Sequence, residues 1–227
     1  FFKIMDRYGL TLPRPRPRRT TNSNHRFHKY KNLIKGLVVT GPNQLWVSDI
    51  TYIDIEGDSD YLHLVTDAYS HKIIGWCLAD SLSARHTLEA LRMAIRQTGK
   101  DNLNGLIHHS DRGIQYCCNA YVEELELHHI SISMTEDYKP TDNAIAERVN
   151  GILKQELIYR RKRFASHEEA YEVIERFITF YNDSRPHMSI DYQTPSVAHQ
   201  QVGTQQRHWK GYQERCQQNQ YNICQPI

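Results

Sequence analysis

From Leu45 onward, three consecutive segments, LWVSDITYIDI, YLHLVTDAYS and HKIIGWCLAD, are rich in apolar, β-branched and aromatic residues and each is bounded by Gly, Asp or Ser. Such β-rich runs, with the turn-forming EGDSD between the first two, predict three strands in an antiparallel meander. A helical period comes next. Leu88, Leu91, Ala94 and Ile95 recur at offsets of three and four within residues 83–98, as on the buried face of a helix. A short apolar strand at 105–109, a helix through Tyr121, Val122 and Leu125, and a strand near 130–133 follow. Such alternation of strand and helix implies parallel neighbours. The loop MTEDYKPTDN, residues 134–143, ends in two candidate N-caps, Asp142 and Asn143, for a helix running to about Tyr159, and a second long helix spans roughly 166–182. The predicted class is α/β, a mixed sheet with helices on its faces.

The two ends of the chain break this pattern. LTLPRPRPRRTTNSNHRFHKYKNLIK, residues 10–35, interleaves Pro with Arg, which prevents a helix and keeps the segment extended. It reads equally as a solvated connector or as a nucleic-acid contact. After Pro195, Gln occupies nine of the 26 positions from 200 to 225, a composition with too few apolar residues to bury a core of its own. The organisation is therefore a basic arm at 1–44, a core at 45–197 and a Gln-rich tail at 198–227.

Charge sharpens that division. The 227 residues carry a net charge of +2, yet residues 1–35 hold ten Lys and Arg against the single acid Asp6, leaving the rest of the chain acidic. A mean hydropathy of −0.67 and the lack of a long apolar run exclude a membrane-spanning chain. Five cysteines, an odd number, without a leading apolar stretch point to a reducing, cytoplasmic setting rather than a disulfide scaffold. The thirteen histidines include the pairs His108–His109 and His128–His129 and the spacing His25-x-x-His28, but no Cys-x-x-Cys completes a zinc motif. They read as scattered core or surface residues, and no Gly-rich loop suggests a nucleotide cofactor.

Three acids stand at places where chemistry collects. Asp49 lies mid-strand among Trp46, Val47, Ile50 and Tyr52, where an unpaired charge is costly; alone it would be a satisfied acceptor or an outward-facing residue. Asp111, in HHSDRGIQY, follows the short strand at the carboxyl end where open α/β sheets bind ligands, although Ser-Asp-Arg-Gly is also turn chemistry. On the next helix, Ile145, Val149, Ile152 and Leu153 form the apolar stripe, and Glu147, Asn150, Gly151 and Lys154 form a second one. By itself that second stripe is an ordinary solvated face. Three carboxylates from a central strand, a strand end and a flanking helix can converge, however, and would then repel one another unless cations lie between them. Oxygen-only donors suit Mg²⁺ or Mn²⁺.

Five segments together carry a family resemblance: WVSDITYI, YLHLVTDAYSHKIIGW, HHSDRGIQY, SMTEDYKPTDNAIAERVNGILKQE and YNDSRPHMSIDYQTP. Over nearly all of residues 20–197 the chain resembles the insertion-sequence transposases of family three, second-frame type, whose catalytic part is similar to a retroviral integrase core. Thirty-five residues separate Asp111 from Glu147, the spacing of the Asp-Asp-Glu signature of that superfamily. The resemblance implies an RNase H-like mixed five-stranded sheet flanked by helices, and a metal-dependent DNA strand cleavage and transfer. It implies Asp49, Asp111 and Glu147 as catalytic ligands of two Mg²⁺ ions, with Mn²⁺ as a substitute, and Lys154 as a DNA contact near the scissile phosphate. It also implies double-stranded DNA, both transposon ends and target, as partner, and a homo-oligomer of at least two copies. Arg14, Arg16, Arg18, Arg19, Arg26 and Lys29 of the arm are the further DNA-binding candidates. The segment before Pro13 resembles the end of a helix-turn-helix region, so the chain would lack most of an end-recognition domain. Rival expectations are a nuclease of the same fold that stops after hydrolysis, and a DNA-binding fragment without catalysis. Asp67 and the Arg185-Pro186-His187 motif also match the family; Asp67 reads as a structural acceptor or a turn residue, and the motif has no role readable from the residues beyond a helix end.

Overall fold

A computed structural model describes residues 2–8, 23–136, 143–159 and 163–205. After a short helix α1 (Phe2–Arg7) come β1 (Leu45–Ile55), β2 (Asp58–Asp67), β3 (Ile73–Ala79), α2 (Ala84–Thr98), β4 (Ile107–Ser110), α3 (Ile114–Cys117), α4 (Asn119–Leu127), β5 (Ser131–Met134), α5 (Ala144–Leu153), α6 (His167–Asp183) and α7 (Pro195–Ala198). The five strands form one sheet in the order β3-β2-β1-β4-β5. The pairs β1–β2 and β2–β3 are antiparallel, as the predicted meander requires, and β1–β4 and β4–β5 are parallel. Among the described residues, no helix is long and apolar enough to cross a membrane.

Central β1 is buried on both faces. Trp46 and Ile50 pack with Leu91, Tyr121 and Leu125 beneath α2 and α4. On the other face Ile53, Leu62 and Leu64 pack with Val149 of α5 and Ile174 and Tyr181 of α6. Helix starts follow local chemistry: the Ser83 side chain accepts from Arg85 N at α2. At α6, Ser166 Oγ accepts from Glu169 N while Glu169 Oε2 accepts from Ala165 N, a capping-box exchange displaced by one residue. Gly75 on β3 meets α2 so closely that a Cβ would lie 2.2 Å from the Ala90 carbonyl oxygen.

Four details differ from the sequence expectations. The helix beginning at Ala144 is α-helical only to Leu153 and continues as a π-helical turn over Lys154–Ile158. Its cap residue Asn143 makes no side-chain capping bond, and Asp142 lies outside the described residues. The described part of the basic arm is not a free connector, because β5 is an edge strand whose polar groups need partners. Leu33 N donates to Ser133 Oγ at 2.9 Å, Met134 N to Lys31 O at 3.3 Å, and Lys35 pairs with Glu136 at 2.5 Å. The start of the Gln-rich tail is docked as well: Ala198 is fully buried, and Gly203 N donates to Thr40 O at 2.7 Å.

Asp67 is the acceptor the sequence suggests. Fully buried, it takes hydrogen bonds from Asn43 N, Ser70 N and Ser70 Oγ, and Ser70 Oγ in turn meets His199 Nδ1. One carboxylate thereby joins the arm, the end of β2 and the C-terminal segment. The Arg-Pro-His motif also acquires a role, since Arg185 grips Glu156 of the π-turn with two bonds of 2.5 and 2.8 Å.

Candidate active site

The parallel register of β1 and β4 builds the site. Leu45 stands opposite Ile107 and Val47 opposite His109. Asp49 lies on β1 two residues past Val47, and Asp111 directly follows the end of β4, the parallel neighbour. The charge of Asp111 acts on Asp49, and Asn150 of α5 bonds Asp49 from one side. Each aspartate is fixed by a local backbone bond: Asp49 Oδ1 accepts from Ile50 N at 2.8 Å, and Asp111 Oδ1 from Gly113 N at 2.9 Å. The turn chemistry of Ser-Asp-Arg-Gly is therefore present and is also what aims Asp111.

Helix α5 closes the site from one side. Asn143, Glu147, Asn150 and Lys154 recur at spacings of four, three and four, which is one face of a helix. Asn143 Nδ2 donates to Ser48 O at 3.1 Å, and Asn150 Nδ2 donates to Asp49 Oδ2 at 2.6 Å. These bonds to adjacent residues of β1 bracket Glu147, about a turn from either. Sequence reasoning had Asn150 only as a polar spacer and Asn143 as a cap; their spacing from Glu147 is the signal that identifies them as clamps.

Electrostatics follow from this geometry. Burial, then the charge of Asp111, pushes the Asp49 carboxyl up from 3.8 to about 6, against smaller lowering by the Ile50 and Asn150 hydrogen bonds and by the charge of Lys154. Burial alone raises the carboxyl of Glu147, which stays solvent-exposed at the rim of an open cavity of about 410 Å³ shared with Arg148 and Arg185. The structure thus brings Asp49, Asp111, Asn150 and Lys154 together. Among the described residues, the oxygens of Asp49, Asp111 and Glu147 do not all lie within 4.8 Å of one another. Arg26 and Lys29 are exposed, on the stretch where His25 Nε2 meets the Arg112 carbonyl beside Asp111. Arg14, Arg16, Arg18 and Arg19 lie outside the described residues.

Behind the site the histidines are structural. His108 Nε2 bonds Ser48 Oγ and Tyr121 Oη, and burial drives its pKa down to about 3, so it is neutral at physiological pH. His109 Nδ1 bonds Ser133 Oγ within the sheet.

Two family models, both described as an integrase core domain, match residues 39–140 and 128–195, the first holding Asp49 and Asp111 and the second Glu147. A putative transposase for insertion sequence element IS986/IS6110 from Mycobacterium tuberculosis is 34% identical over 188 residues, which are 81% of this chain and 68% of that protein. The chain belongs to the insertion-sequence transposases with an integrase core. The transposase for IS904 from Lactococcus lactis is likewise 34% identical, over 86% of this chain and 70% of its own length. In fold, this transposase is similar to the HTLV-2 integrase catalytic core domain in complex with magnesium, with a TM-score of 0.53 and 19% identity over 70% of this chain and 97% of that one. A chain of the simian T-cell lymphotropic virus intasome aligns with a TM-score of 0.60 and 18% identity, covering 86% of this chain and 66% of that one.

Proposed function

We propose that this transposase carries out both phosphoryl transfers of transposition at the site between β1, β4 and α5, with Asp49, Asp111 and Glu147 as its catalytic carboxylates. In the first transfer a water oxygen attacks the phosphodiester at a transposon end, and the leaving group is a free 3′-hydroxyl. In the second, that hydroxyl attacks a phosphodiester of target DNA, forming the new strand and expelling the target's own 3′-oxygen. The single observation that carries the reading is the pair formed by Asp49 on β1 and Asp111 at the end of its parallel neighbour β4, close enough for the charge of Asp111 to raise the Asp49 carboxyl.

An all-oxygen donor set of this kind fits hard divalent cations, and Asp49 and Asp111 would hold them with Glu147 completing the set. Two Mg²⁺ ions, or Mn²⁺ in their place, would supply activation of the attacking oxygen and charge stabilisation of the leaving one when bound. The protein's own contribution is positional. Backbone donors from Ile50 and Gly113 fix the rotamers of the two aspartates, and Asn150 orients the second oxygen of Asp49. Lys154, Arg26, Lys29 and the arginines of the arm contact phosphates on double-stranded DNA, and two or more copies of the chain join paired ends. The reaction takes place in the cytosol, on nucleoid DNA.

The test is a joining assay with labelled transposon-end DNA. Asp111→Asn is expected to abolish both end cleavage and strand transfer while DNA binding persists. Joining within about tenfold of the parent would overturn the assignment. Nicked products from the parent without joined ones would instead favour a nuclease.

A further inference from the structure

On the opposite face of the sheet, far from this use of oxygen donors, three different ligand atoms meet. Cys77 lies on edge strand β3 opposite His63, whose ring bonds Thr87 of α2, so the Cys77 side chain shares the α2 face. His86 and Glu89 stand three residues apart on the first turns of α2 and project toward it. Cys77 Sγ is 3.4 Å from Glu89 Oε2, and His86 Nδ1 is 3.5 Å from the same oxygen. All three ligand atoms lie within 4.8 Å of one another, and among the described residues they are the one such set of three.

We propose that Cys77, His86 and Glu89 form a Zn²⁺ site that ties edge strand β3 to helix α2. The separations match the ion. Tetrahedral zinc, with bonds of about 2.3 Å to sulfur and about 2.0–2.2 Å to nitrogen and oxygen, sets ligand edges of about 3.6 Å for sulfur to oxygen and about 3.4 Å for nitrogen to oxygen. The two measured edges are close to both values. Arg85 Nε holds the other carboxylate oxygen, Glu89 Oε1, at 3.1 Å, which leaves Oε2 aimed at the sulfur and the imidazole. Without an ion the Cys77 thiol donates to Glu89 Oε2, and ligation would displace that proton. A mixed sulfur, nitrogen and oxygen set favours Zn²⁺ over Mg²⁺ or Ca²⁺.

The fourth position of the tetrahedron is supplied from outside the trio. His86 and Glu89 line an open cavity of about 370 Å³ that also holds Asp60, Asp80 and His167. Its acidic wall attracts a cation, and its mouth admits a water as the remaining ligand. Pattern search along the chain misses this site because no Cys-x-x-Cys is involved. One ligand comes from a strand and two from a helix, brought together by the β3–α2 packing that Gly75 permits.

The experiment uses the full chain, stripped with chelator, kept reduced with a phosphine and titrated with Zn²⁺ and with Co²⁺ as a spectroscopic probe. One equivalent of Co²⁺ is expected to give a sulfur-to-cobalt charge-transfer band that Zn²⁺ abolishes. The band is expected to persist in an Asp49→Asn, Asp111→Asn double variant and to vanish in Cys77→Ser. Glu89→Gln is expected to weaken Zn²⁺ binding by more than the roughly 10- to 100-fold that loss of an outer ligand partner costs. Absence of the band in the folded parent, its survival in Cys77→Ser, its loss in the aspartate double variant, or unchanged Zn²⁺ affinity in Glu89→Gln would each overturn the proposal. Strand transfer by Cys77→Ser in Mg²⁺ stays at the parent's level, which separates this site from the catalytic one.

Discussion

Asp49→Asn is expected to make the protein more stable at pH 7 in chelator while removing strand transfer. Folding raises the carboxyl of Asp49 from 3.8 to about 6, through burial first and the charge of Asp111 second. Between those values the folded state binds more protons than the unfolded one, so this group favours folding most below about pH 4 and loses that contribution as pH rises through about 6. At about 1.4 kcal/mol per pKa step the rise is worth about 3 kcal/mol, which solvent reaching the half-buried residue reduces toward about 2 kcal/mol. The Asn replacement keeps an acceptor for Ile50 N and turns an amide toward Asn150, whose own Oδ1 has no hydrogen-bond partner and can receive it after an amide flip. The assay is urea unfolding of parent and variant at pH 7 and at pH 4, both in EDTA. The variant should lead by about 2–3 kcal/mol at pH 7 and by little at pH 4, and excess Mg²⁺ should narrow the gap at pH 7 by stabilising the parent alone. A variant no more stable than the parent at pH 7, or a lead that does not shrink at pH 4, would refute the reasoning.

Three further outcomes follow from other parts of the molecule. Asp67→Asn turns an amide toward the Asn43 N–H that now donates at 2.7 Å to a fully buried oxygen, and should lower unfolding free energy by about 2–3 kcal/mol in a denaturant titration. Gly75→Ala forces a Cβ against the Ala90 carbonyl and the Ala94 backbone nitrogen, and a cost of about 3 kcal/mol or more should appear as a lowered midpoint or insoluble expression. Replacing both Arg26 and Lys29 with Ala should weaken binding to any duplex and reduce the slope of log affinity against log salt by about 2, and an unchanged slope would remove them from the DNA interface.

The strand meander, helix α2 and the parallel second half were legible because β-rich runs such as LWVSDITYIDI and the helical spacing of Leu88, Leu91, Ala94 and Ile95 stand out between turn residues. Asp49 and Asp111 were legible as odd charges at a buried strand and a strand exit. What their positions mean required the topology, since only the parallel pairing of β1 with β4 brings the end of β4 beside the strand that carries Asp49. Hydropathy could not reveal the Asn143 and Asn150 clamps, because a polar residue bonded to a buried strand and one bonded to water look alike in a pattern. The docked arm was hidden for a related reason: its contacts to β5 itself run through backbone groups of Lys31 and Leu33, which any side chain would supply. Glu147 was legible as a position on a helical stripe, but its exposed rim placement comes from how α5 is held against β1.

The two faces of the sheet sort their donors by chemistry, and this gives the fold a way to keep two cations apart. Asp49, Asp111 and Glu147 offer oxygen alone, which leaves a hard, strongly hydrated ion such as Mg²⁺ competitive there. Cys77 and His86 offer sulfur and nitrogen, for which Zn²⁺ gains far more than Mg²⁺ does. Were a thiol or imidazole present at the β1–β4 site, Zn²⁺ would occupy it at lower concentration than Mg²⁺ and displace the ion the reaction uses. His108, beside that site in sequence, is turned to the opposite face of the sheet and tied to Ser48 and Tyr121. Cys77→Ser would therefore be expected to leave inhibition of strand transfer by Zn²⁺ unchanged. A Zn²⁺ inhibition curve shifted in Cys77→Ser would show that the two faces do not bind their ions independently.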